Sequence, residues 1–278
     1  MTAALHDGAI TSPLVQLAFA DVVRPATAFK AVVREHAFDV AELAIMTFLM
    51  AKAYDKPLVL LPAVVLARFQ HPYLVYDASR GHPAPADLTG RRVGIRAYSV
   101  TTVTWLRGIL AEDYGVDAAD VQWITFEDPH VAEFRDPPNV TRAPAGANVT
   151  AMLLAGELDA AVLADATLAD PRLARLIPDP DRAAAEWHRR HGAIQVNHMV
   201  TVSAELAERD PDAVREVYRM LAASRARVPG TSGPDPYPFG VAANRRNLEV
   251  AIAYATQQGL LPRPLTVDEL FDDVTRTF

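Results

Sequence analysis

Residues 87–116 read D-L-T-G-R-R-V-G-I-R-A-Y-S-V-T-T-V-T-W-L-R-G-I-L-A-E-D-Y-G-V. Val93 to Ile95 spell a short buried strand and Arg96 to Tyr98 a turn. Ser99 is expected to cap a helix whose apolar face carries Val103, Leu106 and Leu110 and which Gly115 ends. A strand that stops and aims the next helix's free N–H groups into open space makes an anion site, because those donors lack partners and the peptide dipoles sum there. The first helical turn is unusual. Val100, Thr101, Thr102, Val103 and Thr104 are all β-branched, a poor choice for helix stability. Either the adjacent hydroxyls serve a ligand, or Ser99 merely caps and the threonines merely bond the preceding turn.

The composition narrows the function classes. The chain has 278 residues, 50% of them hydrophobic and 22% charged, a globular composition long enough for one large domain or two small ones. A net charge of −7 with acidic and basic residues interleaved argues against nucleic acid or an anionic membrane as the main partner, while leaving room for a local basic pocket. There is no cysteine, so thiol nucleophiles, iron–sulfur clusters, cysteine zinc sites and disulfides are all excluded. The opening M-T-A-A-L-H-D-G-A-I-T has neither a basic nor an apolar signal region, and no apolar run reaches the roughly 18 residues of a membrane span. A cytoplasmic protein is expected.

Outward from the central stretch, the pattern alternates. Leu14 to Phe19 is expected as a strand, Ala26 to Arg34 as a helix, Phe38 to Ile45 as a strand, Thr47 to Tyr54 as a helix and Leu58 to Val65 as a central strand. Such β, α, β, α, β order implies a largely parallel sheet with helices on its faces. His71 to Tyr76 and Val121 to Thr125 read as further strands, Glu127 to Ala147 as a long irregular loop, and Asn148 as the cap of a helix Val149 to Ala155 that leads into a strand at Ala160 to Leu163. Pro171 to Arg190 is helix-prone, and Ala193 to Val202 is a long strand in which Asn197 and His198 stand out. Helices follow at Ala204 to Arg209, Asp212 to Arg227 and Ala242 to Gln258, and Thr266-Val267-Asp268-Glu269 is a capping box for a last one. His36-Ala37-Phe38-Asp39-Val40-Ala41 is echoed by Gly156-Glu157-Leu158-Asp159-Ala160-Ala161, which suggests two similar α/β lobes.

Several segments in one collinear order resemble the 4,5-dihydroxyphthalate decarboxylases, relatives of the substrate-binding proteins of ABC transporters. They are Phe38-Asp39-Val40 with Glu42, the Phe69-Gln70-His71 corner, the 87–116 stretch with its Trp105-Leu106-Arg107-Gly108-Ile109-Leu110 core, Gly156-Glu157-Leu158-Asp159-Ala160, the His198 strand, and Gly259-Leu260-Leu261-Pro262. The resemblance implies an α/β, type II periplasmic-binding-protein fold: two α/β lobes, two crossover strands and a ligand held in the cleft between them. It assigns residues 1–77 plus 198–278 to the first lobe and 78–197 to the second, with crossings near Tyr73 to Asp77 and Gln195 to Val202. It also departs from the family: the strand and Asp-Tyr-Asp-like loop usual before the segment matching Thr2 to Gly8 are not seen, Gln70 stands where Arg is commoner, and Arg96-Ala97 where a Pro-Glu pair is common. These positions bear on the identity of the substrate.

The implied activity is a cofactor-independent decarboxylation of a small hydroxylated aromatic carboxylate, such as 4,5-dihydroxyphthalate. That chemistry needs an acid for the ring carbon, a group accepting a phenolic proton, and Arg or a helix N-terminus for the carboxylates. His198 is the first candidate acid and His71, at the other crossing, the second; either is otherwise a satisfied core histidine. Glu42, in an apolar run, is a base for a ring hydroxyl, an exposed strand-end residue, or a buried partner for Arg68. Arg68 and Arg96 are candidate carboxylate clamps, and Tyr98, Ser99, Thr101 and Thr102 are expected to line the cleft with Asn197. Arg107 is expected on the solvated surface. Glu42, Asp165, His71 and His198 are hard N/O donors, yet no short ligand spacing such as H-x-x-x-H exists and no metal is expected. Neither G-x-S-x-G nor a glycine-rich phosphate loop is present. The expected partner is the small aromatic carboxylate, with no nucleic acid or membrane and a homo-oligomer left open. Two alternatives remain: a non-catalytic small-carboxylate binding protein, and a lyase or dehydratase on a different carboxylate.

Overall fold

The computed structural model describes residues 1–163, 168 and 170–278, and their contacts separate into two compact units, Met1–Arg68 with Ile194–Phe278, and Phe69–Ala193. Helices and strands are numbered along the chain.

The first unit holds α1 (Ala3–His6), α2 (Pro25–Glu35), β1 (Val40–Ala44), α3 (Ile45–Ala53) and β2 (Leu58–Ala67), then β9 (Val196–Ser203), α7 (Ala204–Arg209), α8 (Pro211–Arg225) and α9 (Val241–Gln257). Its sheet has the order β1-β9-β2, and β9 is antiparallel to both neighbours. The parallel sheet expected from the early β/α alternation is therefore not formed here: β1 and β2 do not pair, because a strand from far along the chain lies between them. Within β2 the register against β9 jumps between Leu60 and Val64. Pro62 explains the jump, since it lacks the N–H that a ladder needs, and its carbonyl instead accepts from Gly240 N at 2.8 Å. Leu14–Phe19 forms no strand: Leu14 is exposed, while Val15 and Leu17 pack on an apolar cluster that includes Val214, Val217 and Leu221 of α8. Thr266 gains only half of its capping box. Glu269 Oε2 accepts from Thr266 N and Oγ1 at 2.6 and 2.8 Å, but Asp268–Leu270 is a single 3-10 turn rather than a helix.

The second unit contains β3 (Leu74–Asp77), β4 (Arg92–Ile95), α4 (Thr101–Tyr114), β5 (Gln122–Thr125), β6 (Val140–Arg142), α5 (Val149–Ala155), β7 (Ala160–Val162), β8 (Leu173–Arg175) and α6 (Pro180–His191). The sheet order is β6-β5-β4-β7-β3-β8. Neighbours from β6 to β7 are parallel, and β3 is antiparallel to both β7 and β8. β6 and β8, three residues each, are too short to show a period in sequence. The echoed segments do enter strands, but β1 is an edge strand and β7 is interior. The expected boundaries at 77/78 and 197/198 move to 68/69 and 193/194. The reason is pairing: all of β3 belongs to the second sheet and all of β9 to the first. The expected crossings at Tyr73–Asp77 and Gln195–Val202 shift accordingly.

Gly94 sets how closely α5 approaches β4. A Cβ there would lie 2.6 Å from Leu158 Cδ1 and 2.8 Å from Val149 Cγ2, so only glycine admits these side chains to the sheet. Asn148 caps α5 as expected, its side chain accepting from Ala151 N at 3.0 Å.

Candidate functional site

In the first unit, antiparallel pairing sets Ala44 opposite His198 and Glu42 opposite Val200. Glu42 and His198 are thus diagonal neighbours on one face, within reach of long side chains. Their side chains meet: His198 Nδ1 and Glu42 Oε1 are 2.5 Å apart, and both residues are partly exposed, at 19% and 31%. Phe29, from α2, stands perpendicular to the imidazole with ring centroids 5.2 Å apart. The carboxylate holds Nδ1 as the donor, which leaves Nε2 without a hydrogen-bond partner among the described residues. Such a pair delivers or accepts a proton at Nε2. None of the three readings of Glu42 in the sequence names this partner.

Asn197 is buried on the same strand, one residue away, so the pleat turns it to the opposite face from His198. Arg68 directly follows β2, its backbone N–H donating to Gln195 O at 3.2 Å.

In the second unit the 87–116 stretch is a strand, a turn and a helix, and Gly115 ends the helix in the left-handed region. Ser99 is not the cap. The helix starts at Thr101, the N-cap is Val100, and no side chain caps it. Ser99 and Thr102 are buried, and their hydroxyls have no hydrogen-bond partner among the described residues. Thr104 does what the bland alternative asked, donating Oγ1 to Val100 O at 3.2 Å. The turn thus joins an uncapped N-terminus with two unused hydroxyls. Arg96 carries the only charge of the turn. Its guanidinium stands 3.7 Å from Glu127, which follows β5, and its carbonyl accepts from Phe126 N and Glu127 N at 3.0 and 2.7 Å. The C-terminal ends of the parallel strands β4 and β5 are thereby tied together, at the edge where open α/β sheets bind ligands.

Arg107 is not on the surface. Every residue from Thr101 to Leu110 is buried, and Arg107 is 1% exposed. Side chains on a helix lean toward its N-terminus, so the guanidinium reaches back to donate Nη1 to Tyr98 O at 2.8 Å and lies over the Tyr98 ring at 3.6 Å. Desolvation by burial lowers its pKa to about 10, which leaves it charged at neutral pH. The signal for its burial was present in sequence: Trp105, Leu106, Gly108, Ile109 and Leu110 surround it, and a helix apolar on all sides is a core helix. Tyr98 is covered by Arg107 and lies nearly parallel to Phe134, ring centroids 6.4 Å apart.

His71 lies in this second unit, fully buried, with neither ring nitrogen hydrogen-bonded among the described residues. Burial pushes its pKa down to about 4, with Arg190 adding to the shift and Asp113 opposing it. It is therefore neutral at pH 7. Asp165 lies outside the described residues, and among those described no group of three or more His, Cys, Asp or Glu is placed to hold a metal. No helix among them is long and apolar enough to cross a membrane.

No family model matches the chain. It is similar to the 4,5-dihydroxyphthalate decarboxylase of Comamonas testosteroni, 29% identical with 84% of this chain and 82% of the relative covered. A second such decarboxylase, from Pseudomonas putida, is 31% identical over 55% of this chain and 64% of its own length. The periplasmic aliphatic sulphonate binding protein of Escherichia coli superposes with a TM-score of 0.57 at 15% identity, covering 90% of this chain and 85% of that one. The chain is similar in sequence to two 4,5-dihydroxyphthalate decarboxylases, and its fold is that of periplasmic-binding-protein-like molecules.

Proposed function

We propose that this chain is a cofactor-independent carboxy-lyase acting on a small hydroxylated aromatic carboxylate, most simply 4,5-dihydroxyphthalate. The hydrogen-bonded pair of His198 and Glu42 carries this reading, with the sequence relationship as its support. In that substrate each carboxylate is para to one hydroxyl. As the hydroxyl releases its proton to water, to be regained once carbon dioxide has left, electron density reaches the para ring carbon, which takes a proton from His198 Nε2. The bond to the carboxylate then breaks, carbon dioxide leaves, and its bonding pair restores the aromatic ring. One proton is consumed for each carbon dioxide released, and the product is 3,4-dihydroxybenzoate. Glu42 orients the imidazole and stabilises it while it is charged, rather than acting on the ring hydroxyl.

Within the second unit, Arg96, the Ser99 and Thr102 hydroxyls and the N-terminal end of α4 suit a carboxylate. His71, neutral at pH 7, is not the acid; it is available as a neutral donor and acceptor. The reading also places the protein in the cytoplasm, which fractionation of the host cell checks.

Incubation with a panel of hydroxybenzoates and phthalates, followed by carbon dioxide release, tests the proposal. Turnover of at least one dihydroxylated phthalate is expected, together with its loss in His198→Ala. A protein that is stabilised thermally by these compounds yet releases no carbon dioxide is instead a carboxylate-binding protein, a role the fold also suits.

A further inference from the structure

We infer that Arg107 is a positioning residue for carboxylate binding, holding the Arg96–Val100 turn from beneath and placing a fixed positive charge under it. The inference rests on the reading that this turn receives a substrate carboxylate.

Three contacts converge. Nη1 donates to Tyr98 O at 2.8 Å, in the middle of the turn. The guanidinium plane covers the Tyr98 ring at 3.6 Å, so the same side chain grips both backbone and side chain of one residue. Nη2 lies 3.5 Å from Thr104 Oγ1, which itself donates to Val100 O at 3.2 Å, and so braces the turn where the helix begins. The last residues of the turn and the first turn of α4 are thereby fixed relative to each other.

Asp136 is an acidic group whose charge acts on Arg107, and its effect is smaller than the desolvation that opposes the cation. A methionine of similar length would fill the space without desolvating a cation, and buried charges are weak contributors to folding. The charge has a use if an anion binds on the other side of the turn, since a field acting through buried atoms is poorly screened. Ser99 and Thr102, with hydroxyls unused by the protein, occupy that turn and the start of the helix.

The experiment compares wild type, Arg107→Lys and Arg107→Met for phthalate affinity by calorimetry, for KM and kcat with 4,5-dihydroxyphthalate, and for melting temperature. Displacement of a binding group by about 1 Å costs up to roughly 100-fold. Arg107→Met is therefore expected to weaken phthalate binding by about 10- to 100-fold, with KM rising more than kcat falls. Arg107→Lys, which keeps the charge but loses the planar fork, is expected to recover part of the loss. Lowered melting temperatures with phthalate affinity within about threefold of wild type in both variants would reduce Arg107 to a packing residue and overturn the inference. If the methionine variant does not fold, Arg107→Gln, which keeps hydrogen-bond donors without the charge, takes its place, and affinity within about threefold of wild type there has the same meaning. Wild type that binds phthalate without releasing carbon dioxide sinks the carboxy-lyase reading and leaves the Arg107 comparison standing on affinity. Wild type that binds neither compound overturns the inference itself.

Discussion

His198 and Glu42 lie 156 residues apart in the chain and 2.5 Å apart across the β1–β9 ladder. The register makes them diagonal neighbours on one face of the sheet, and the hydrogen bond fixes which imidazole nitrogen is left to act.

Removing the acid is more damaging than removing its orienting partner. His198→Ala is expected to reduce kcat for decarboxylation by about 100- to 10,000-fold, the usual range for a general acid. Glu42→Gln keeps an acceptor for Nδ1 but removes the charge, and a loss of about 10- to 100-fold is expected, with KM nearly unchanged. Carbon dioxide release under saturating substrate measures both. Equal activity in Glu42→Gln and wild type would remove the pair from the mechanism.

The pairing of Arg96 with Glu127 gives a separate test. Both side chains are more than a third exposed, so the ion pair itself contributes at most about 1 kcal/mol. A charge-assisted contact from Arg96 to a substrate carboxylate is worth about 1.5 to 3 kcal/mol. Arg96→Met should therefore raise KM by about 10- to 100-fold, while Glu127→Gln, which frees the guanidinium, should leave KM equal or lower by up to about fivefold. A higher KM in Glu127→Gln would mean that Glu127, rather than substrate, is what Arg96 is there to hold.

Stability against acid depends in part on His71. Its folded pKa of about 4 lies below the ordinary 6.5, so the unfolded chain binds the proton more readily between those values. The contribution is present above pH 6.5 and is lost as pH falls toward 4, by up to about 3 kcal/mol. Urea unfolding at a series of pH values should show His71→Leu losing less stability over this window than wild type. Parallel curves would show that His71 does not titrate as its burial requires.

Gly94→Ala is expected to destabilise the fold by about 1 to 3 kcal/mol through overpacking, because Leu158 and Val149 must retreat from β4. A lower melting temperature measures it. An unchanged one would mean that α5 shifts freely on the sheet.

Much was legible before any coordinates. The strand–turn–helix of 87–116, its glycine terminus, the Asn148 cap and the helices after β9 follow from local rules, since a cap or an apolar period is written within a few residues. Local rules also misled. Ser99 looks like a cap because serine before a helical pattern usually is one, but the helix starts two residues later. Arg107 reads as a solvent-facing residue because arginine usually is one, although Trp105, Leu106, Ile109 and Leu110 around it in sequence are apolar.

The sequence by itself determined the class of the fold, the family it resembles, and His198, Glu42 and Arg96 as residues worth testing. Tertiary structure decided the partnerships. That β9 lies between β1 and β2, and so brings Glu42 to His198 while turning Asn197 away, depends on register between strands distant in sequence. That burial keeps His71 neutral, and that Arg107 reaches back beneath its own turn, depends on what packs around each side chain. Hydrogen bonding between distant strands and desolvation by distant neighbours are long-range effects, and no window of consecutive residues contains them.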